Sequence, residues 1–278
     1  MGTTSSSTSG APKGRKAIEA KLNVADKTAV LSLKDLDLKA SSSVWGKIAA
    51  MGLGAKLKTL DISGNTLKTL PSEIYEMENL RIFHFSRCNV QYTHDMTSMV
   101  RLKNVDMDNN DLESDVLAPL PGSLTKLNLC NNHLANVPTM SFVELTNLKE
   151  LNLSGNRLSS TDGVGVLVAL IDLNLDDNKL QDISTDMAMC TMLQHISLRN
   201  NLLSARSVSR EGEQSIPCVV LTGTQLSSID LSGNKMISKS IVMDFEGIGD
   251  FIERRKRKLD KNLAGGAVMD SSLFGTLE

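Results

Sequence analysis

The sequence predicts an α/β solenoid: a horseshoe with a parallel sheet on its concave face and short helices or 3₁₀ turns on its convex face. Three observations lead there. Of 278 residues, 40 are leucine, whereas aromatic residues make up 3 %. Such an excess of one hydrophobe marks a small packing unit used repeatedly. The second is the pattern Leu-x-x-Leu-x-Leu-x-x-Asn-x-Leu, which recurs in register. The third is its period: from Asn65 to Asn201 the Asn or Cys positions step by 23, 22, 22, 24, 22 and 23 residues.

The copies run in order along the chain. A degenerate one, Leu31, Leu33, Leu36 and Leu38, has Leu36 where Asn is expected. Eight clear copies follow, marked by Asn65, Cys88, Asn110, Asn132, Asn156, Asn178, Asn201 and Asn234. Within each, an alternating pair such as Leu60/Ile62 or Leu151/Leu153 reads as a short strand with one buried face. The Asn that follows turns inward, where its amide can bond backbone groups of adjacent coils that would otherwise be buried unpaired. Cys88 takes this place as a compact buried residue. Segments such as Ser72–Asn79 and Ser141–Asn147 read as short helices or 3₁₀ turns on the outside. Pro71 and Pro138 stand where the chain leaves the turn and no donor is needed.

On these motifs residues 28–240 resemble the leucine-rich repeat family. That resemblance implies a curved solenoid whose coils bury a continuous core. Two features interrupt the period. The step from Asn201 to Asn234 is 33 residues, so the polar stretch near Ser204–Ser215 is expected as an outward loop. Near the other end, Val44, Trp45, Ile48, Ala49 and Met51 fall at helical spacing and read as the first convex helix, closing that end, with Trp45 in the core.

The organisation expected is a disordered leader over residues 1–20, a repeat domain over 21–240, an amphipathic capping helix over 241–262 and a disordered tail over 263–278. The capping helix carries Val242, Phe245, Ile248, Phe251, Ile252 and Leu259 among charges. Its basic run, Arg254, Arg255, Lys256, Arg257 and Lys258, reads as a solvated face, an anionic-lipid contact or a nuclear import signal. The start Met1-Gly2-Thr3-Thr4-Ser5-Ser6 fits the acceptor pattern for N-myristoylation at Gly2. Lys13, Arg15, Lys16 and Lys21 follow against the single acid Glu19. One acyl chain binds membranes only marginally, on the order of 10⁴ M⁻¹, so these basic side chains would supply the second signal. The Met1-Gly2 start, the segment Lys27–Asp35, the lengthened penultimate repeat and Phe245-Glu246-Gly247 before a basic helix also resemble one small intracellular member of the family, which implies a lipidated N-terminus.

Composition narrows the function. With 30 Lys+Arg against 32 Asp+Glu the net charge is −2, which argues against a strongly basic nucleic-acid binder. Few aromatics argue against a base-stacking platform or a large ligand pocket. Cys88, Cys130, Cys190 and Cys218 have neither disulfide nor zinc spacing. The longest apolar stretch, Gly163–Ile171, falls short of the roughly 20 residues of a membrane span, and no secretory signal is evident. A chain made in a reducing compartment is expected: cytoplasmic at a membrane surface, or alternatively soluble or nuclear.

Concave residues are the candidates for function. A middle column reads Asp61, His84, Asp106, Asn128, Asn152, Asn174, Ser197, Asp230. The next reads Ser63, Ser86, Asp108, Cys130, Ser154, Asp176, Arg199, Ser232. With Asp172 and Asp177 they form a polar, mildly acidic surface suited to an extended protein partner. Partner binding is assigned to Asp61, His84, Asp106, Asp108, Asn128, Asn152, Asp172, Asn174, Asp176 and Arg199. No phosphate loop, dinucleotide loop or HExxH motif is present. His84 and His195 sit five strands apart, roughly 24 Å, too far to share a metal. The expectation is a non-catalytic scaffold without metal, cofactor, nucleic acid or small-molecule substrate.

Overall fold

A computed structural model describes residues 11–211, 213–264 and 274, and the side chains of 11–15 and 262–264 fall outside that description. Nine three-residue strands form one parallel sheet in chain order. They are β1 (Val30–Ser32), β2 (Thr59–Asp61), β3 (Ile82–His84), β4 (Asn104–Asp106), β5 (Lys126–Asn128), β6 (Glu150–Asn152), β7 (Asp172–Asn174), β8 (His195–Ser197) and β9 (Ser228–Asp230). The register places Leu31, Leu60, Phe83, Val105, Leu127, Leu151, Leu173, Ile196 and Ile229 side by side. Each is buried, so one apolar column per strand row fills the solenoid interior. The degenerate first copy thus supplies a full strand.

The ladder amides do what their position requires. The Asn156 Nδ2 donates to Leu129 O at 3.0 Å and Leu153 O at 2.9 Å, while its Oδ1 accepts from Leu134 N at 3.1 Å. Asn132 shares Leu129 O, and Asn178 shares Leu153 O. Each such carbonyl therefore receives two amides from successive coils, and the bonds run from coil to coil. At Cys88 no amide is available. Its Sγ donates to Ile62 O, and its backbone carbonyl accepts Leu67 N at 3.0 Å.

A second repeated feature precedes the ladder position. Asp35, Gly64, Arg87, Asn109, Asn131, Gly155, Asp177, Asn200 and Gly233 all have φ between 53° and 78°. In every coil the chain turns there through the left-handed region, which Gly, Asn and Asp tolerate best. Arg87 is the costly exception.

The convex side carries α2 (Val44–Ala50), 3₁₀ turns at Ser72–Ile74, Ser114–Val116, Val164–Val166 and Thr185–Met189, α3 (Thr139–Phe142) and α4 (Cys218–Gly223). Trp45 is buried and donates Nε1 to Lys39 O at 2.9 Å. The insertion near Ser204–Ser215 is polar, as expected, and among its described residues 207–209 are pinned rather than free. The Asp182 carboxylate accepts from Ser207 Oγ, Ser209 Oγ, Val208 N and Ser209 N at 2.7–3.1 Å. Burial pushes that acid up, but these bonds outweigh it and hold it below the ordinary range.

Four expectations about the ends are corrected. The leader does not extend to residue 20: α1 (Ala11–Thr28) is helical, because Leu22 and Ala25 bury against the first coil. With Lys47 paired to Glu19 at 2.7 Å, α1 and not α2 closes that end. The capping helix over 241–262 is two helices, α5 (Lys239–Met243) and α6 (Ile248–Ala264), parted at Gly247, whose φ is 84°. In the tail, Phe274 is buried, stacks on Phe251 with ring centres 5.7 Å apart, and accepts Leu231 N at 3.1 Å. The rest of that tail and residues 1–10, including Gly2, lie outside the described residues.

Candidate functional site: the concave face

Because side chains alternate along a strand, the residues on either side of each buried central position share the concave face. The middle column, Asp61 to Asp230, lies there as the sequence predicts. So does a column at the strand starts, of which the sequence reading took only Asp172. It missed Lys126, Glu150 and His195. The signal was present: period 2 puts the residue two places before each middle position on the same face.

Why the middle column is rich in Asp and Asn is local. Asp61, Asn128, Asn152, Asn174 and Asp230 each accept, through Oδ1, the N–H two residues on, at 2.9–3.1 Å. Asp106 does so at 3.4 Å. These bonds end the strand and start the turn. One oxygen of each side chain is thus committed to the fold.

Two depressions lie on this face among the described residues. The larger, about 580 Å³, spans β5 to β9 and is lined by Lys126, Asn128, Glu150, Asn152, Asp172, Asn174, His195, Ser197 and Asp230. Lys126 pairs with Glu150 at 2.6 Å. His195 Nδ1 contacts Asp172, while its Nε2 meets the ammonium of Lys258 from α6. Burial lowers the Lys258 pKa, and Asp172 opposes that shift. The smaller depression, about 460 Å³, gathers Lys34, Asp61, His84, Arg87, Asp106 and Asp108. His84 lies 3.6 Å from Asp106, and that contact raises its pKa despite partial burial. Burial acts to raise the Asp106 carboxyl, but contacts with His84 and Asp108 prevail and lower it. Asn128 Nδ2 donates to Asp106 at 2.8 Å, which joins the two depressions.

Of the remaining candidates, Asp176 and Arg199 sit at the β7–β9 side and Asp108 follows β4. Asp176 accepts from Ser197 Oγ at 2.6 Å and Arg199 N at 2.8 Å. Arg199 lies 4.0 Å from Asp230. Asp108 accepts from Asn109 Nδ2. Among the described residues no three His, Cys, Asp or Glu side chains gather in a metal-binding group. Burial pushes the Cys88 thiol up to about 11 and the Cys190 thiol up to about 12, so neither carries a useful thiolate.

The basic residues do not form one surface. Lys16 is exposed on α1, Lys21 donates to Ser32 O at 2.9 Å, and Lys13 and Arg15 lie in α1 with side chains outside the description. At the far end, Arg254 donates to Leu226 O at 2.9 Å and to Leu221 O, and Arg255 donates to Ser227 O at 3.2 Å. Lys258 reaches His195 and Ser227. The run read from the sequence as a solvated face, an anionic-lipid contact or a nuclear import signal is therefore largely engaged in docking α6 on the last coil. Lys256 is exposed, and Arg257 pairs with Glu253. The two basic clusters stand at opposite ends of the sheet, roughly 38 Å apart at about 4.8 Å per strand spacing. No described helix is long and apolar enough to cross a membrane.

Comparison with known proteins agrees with this architecture. Two family models described as leucine rich repeat match residues 56–77 and 122–166. The human oligodendrocyte-myelin glycoprotein is 32 % identical over 183 residues, covering 63 % of this chain and 37 % of its own length. A probable serine/threonine-protein kinase, pats1 of Dictyostelium discoideum, is 30 % identical over 181 residues, covering 61 % of this chain and 6 % of its own. Both are thus matched over well under half their length. A solved leucine-rich repeat protein of Leptospira interrogans superposes with a TM-score of 0.63 at 21 % identity, over 83 % of this chain and 61 % of that one.

Proposed function

We propose that this leucine-rich repeat protein is a non-catalytic scaffold that holds a protein partner along its concave face. The observation that carries the reading is the open polar surface from β2 to β9, with charged side chains set at regular strand spacing and two shallow depressions joined by Asn128. Such a surface suits an extended partner better than a small substrate. Photo-crosslinking tests it. A benzophenone amino acid at Asn152 should give partner adducts in cell extract, and the same group at convex Thr222 should not. Equal adducts from both positions would overturn the reading.

The proposal includes a tether. The ends of the sequence resemble leucine-rich repeat-containing protein 57, and the Met1-Gly2 start fits myristoyl transfer to Gly2. Lys13, Arg15 and Lys16 follow it along the chain, each able to add about 1 kcal/mol against an anionic leaflet. The protein would then lie at the cytoplasmic membrane surface by its α1 end. Intact mass of the protein from its native cell type tests this: a myristoylated Gly2 species supports it, and a mass without the acyl group removes it. The nuclear alternative has less support, since Arg254, Arg255 and Lys258 are engaged by the last coil.

A further inference from the structure

Both tyrosines of the chain stand together away from the concave face. Tyr75 follows the 3₁₀ turn at Ser72–Ile74, and Tyr92 lies one coil on. Each ring meets His94 edge-on, with centres 5.5 Å apart. The Tyr75 hydroxyl accepts His94 N at 3.0 Å, which fixes the two coils relative to each other. Around them is a depression of about 620 Å³, whose wall also includes Thr69, Glu76 and Asp95. The Thr69 hydroxyl is buried without a hydrogen-bond partner.

Composition makes this patch unusual. Trp45 and all six phenylalanines are buried, so the tyrosines are the aromatic residues left toward solvent, with Tyr92 42 % exposed. The charge is one-sided. No Lys or Arg occurs between Lys68 and Arg81 or between Arg87 and Arg101, whereas these stretches hold Glu73, Glu76, Glu78 and Asp95. Hydrogen bonds from Thr97 lower the Asp95 pKa, so it is ionised at neutral pH.

We infer that this groove between the β2 and β3 coils is a second docking point, which takes an arginine side chain of a protein partner. A guanidinium combines a flat cationic face, which tyrosine rings attract, with a donor fork that matches a carboxylate. Tyr92 and Tyr75 supply the rings, and Glu76 and Asp95 the acceptors. The inference stands apart from the concave-face reading and uses none of its residues.

The test is NMR of the full chain titrated with acetyl-Gly-Arg-Gly-amide and with its citrulline counterpart, which keeps shape and loses charge. The arginyl peptide should shift the ring signals of Tyr75, Tyr92 and His94 saturably. Citrulline, Tyr92→Leu and Glu76→Gln should each weaken the effect about fivefold or more. Tyr92 is exposed, so its substitution tests binding without threatening the fold. Equal response to citrulline, retention of binding in Tyr92→Leu, or shifts confined to concave Asp106 and Asp176 would each overturn the inference. Photo-adducts at Asn152 report separately on the concave face.

Discussion

Replacing Asn156 by Ala removes one rung of the amide ladder. Four bonds are lost: Leu134 N to Oδ1, Nδ2 to Ser154 O, which keeps Asn131 N, and Nδ2 to Leu129 O and Leu153 O. The latter two carbonyls keep their second amides, from Asn132 and Asn178. The Leu134 N–H keeps nothing and is buried. An orphaned buried donor costs about 1–3 kcal/mol, and each of the lost carbonyl bonds about 0.5–1.5 kcal/mol. The expected loss is about 3–5 kcal/mol, a large share of the stability of an ordinary domain. Urea unfolding followed by far-UV circular dichroism measures it, as a drop in midpoint at unchanged slope. Asn156→Cys should recover part, since Cys88 shows a thiol donating from this position. A loss below about 1 kcal/mol for Asn156→Ala would refute the claim that the ladder amides hold adjacent coils together.

Further outcomes follow from other sites. Gly155→Ala should cost about 1–2 kcal/mol in thermal melts, because φ there is 65° and a Cβ would meet Asn131 Oδ1 at 2.1 Å, whereas Gly54→Ala, with only Met77 at 3.9 Å, should be nearly silent. Arg254→Ala should destabilise by about 1.5–3 kcal/mol through loss of charged hydrogen bonds to the last coil. Arg257→Ala, at an exposed ion pair, should change stability by about 0–0.5 kcal/mol. Because the His84 pKa is raised by Asp106, its stabilising contribution is full below the unfolded histidine value near 6.5 and fades as pH rises through the folded value. An NMR titration should show the His84 midpoint falling in Asp106→Asn; an unchanged midpoint would contradict that pairing.

The sheet was legible because its signal is redundant. Eight copies fix the inward column, and even the degenerate copy at Leu31 has its strand. Period 2 also marked Lys126, Glu150 and His195, which a reading confined to two columns passed over. The left-handed position was visible too, as a Gly, Asn or Asp directly before the ladder Asn, but Arg87 conceals it in one coil. What the sequence concealed depends on contacts between distant segments. Nothing local to Arg254 reveals that it reaches Leu221 and Leu226, or that Lys258 meets His195. Nor does any pattern announce that Phe274 returns to stack on Phe251. In α1 the burial rests on Leu22 and Ala25 within a helix of low apolar content, so composition alone suggested a leader. The Asp/Asn column resembles an acidic binding ladder, yet its recurrence owes much to ending six of the nine short strands.

The substitution at Cys88 has a consequence for how the stack comes apart. Rungs on either side are bound by amides reaching two carbonyls, whereas this junction relies on a thiol and a backbone carbonyl. A quasi-linear array opens where its nearest-neighbour coupling is weakest. Native-state hydrogen exchange should therefore resolve two cooperative blocks, a short one built on α1, β1 and β2 and a longer one from β3 onward. The Tyr75–Tyr92 groove crosses the same seam. A ligand seated there would rivet the two blocks, and its binding free energy would appear as slower exchange at Leu67 and Lys68, whose amides bond Cys88 O across the seam.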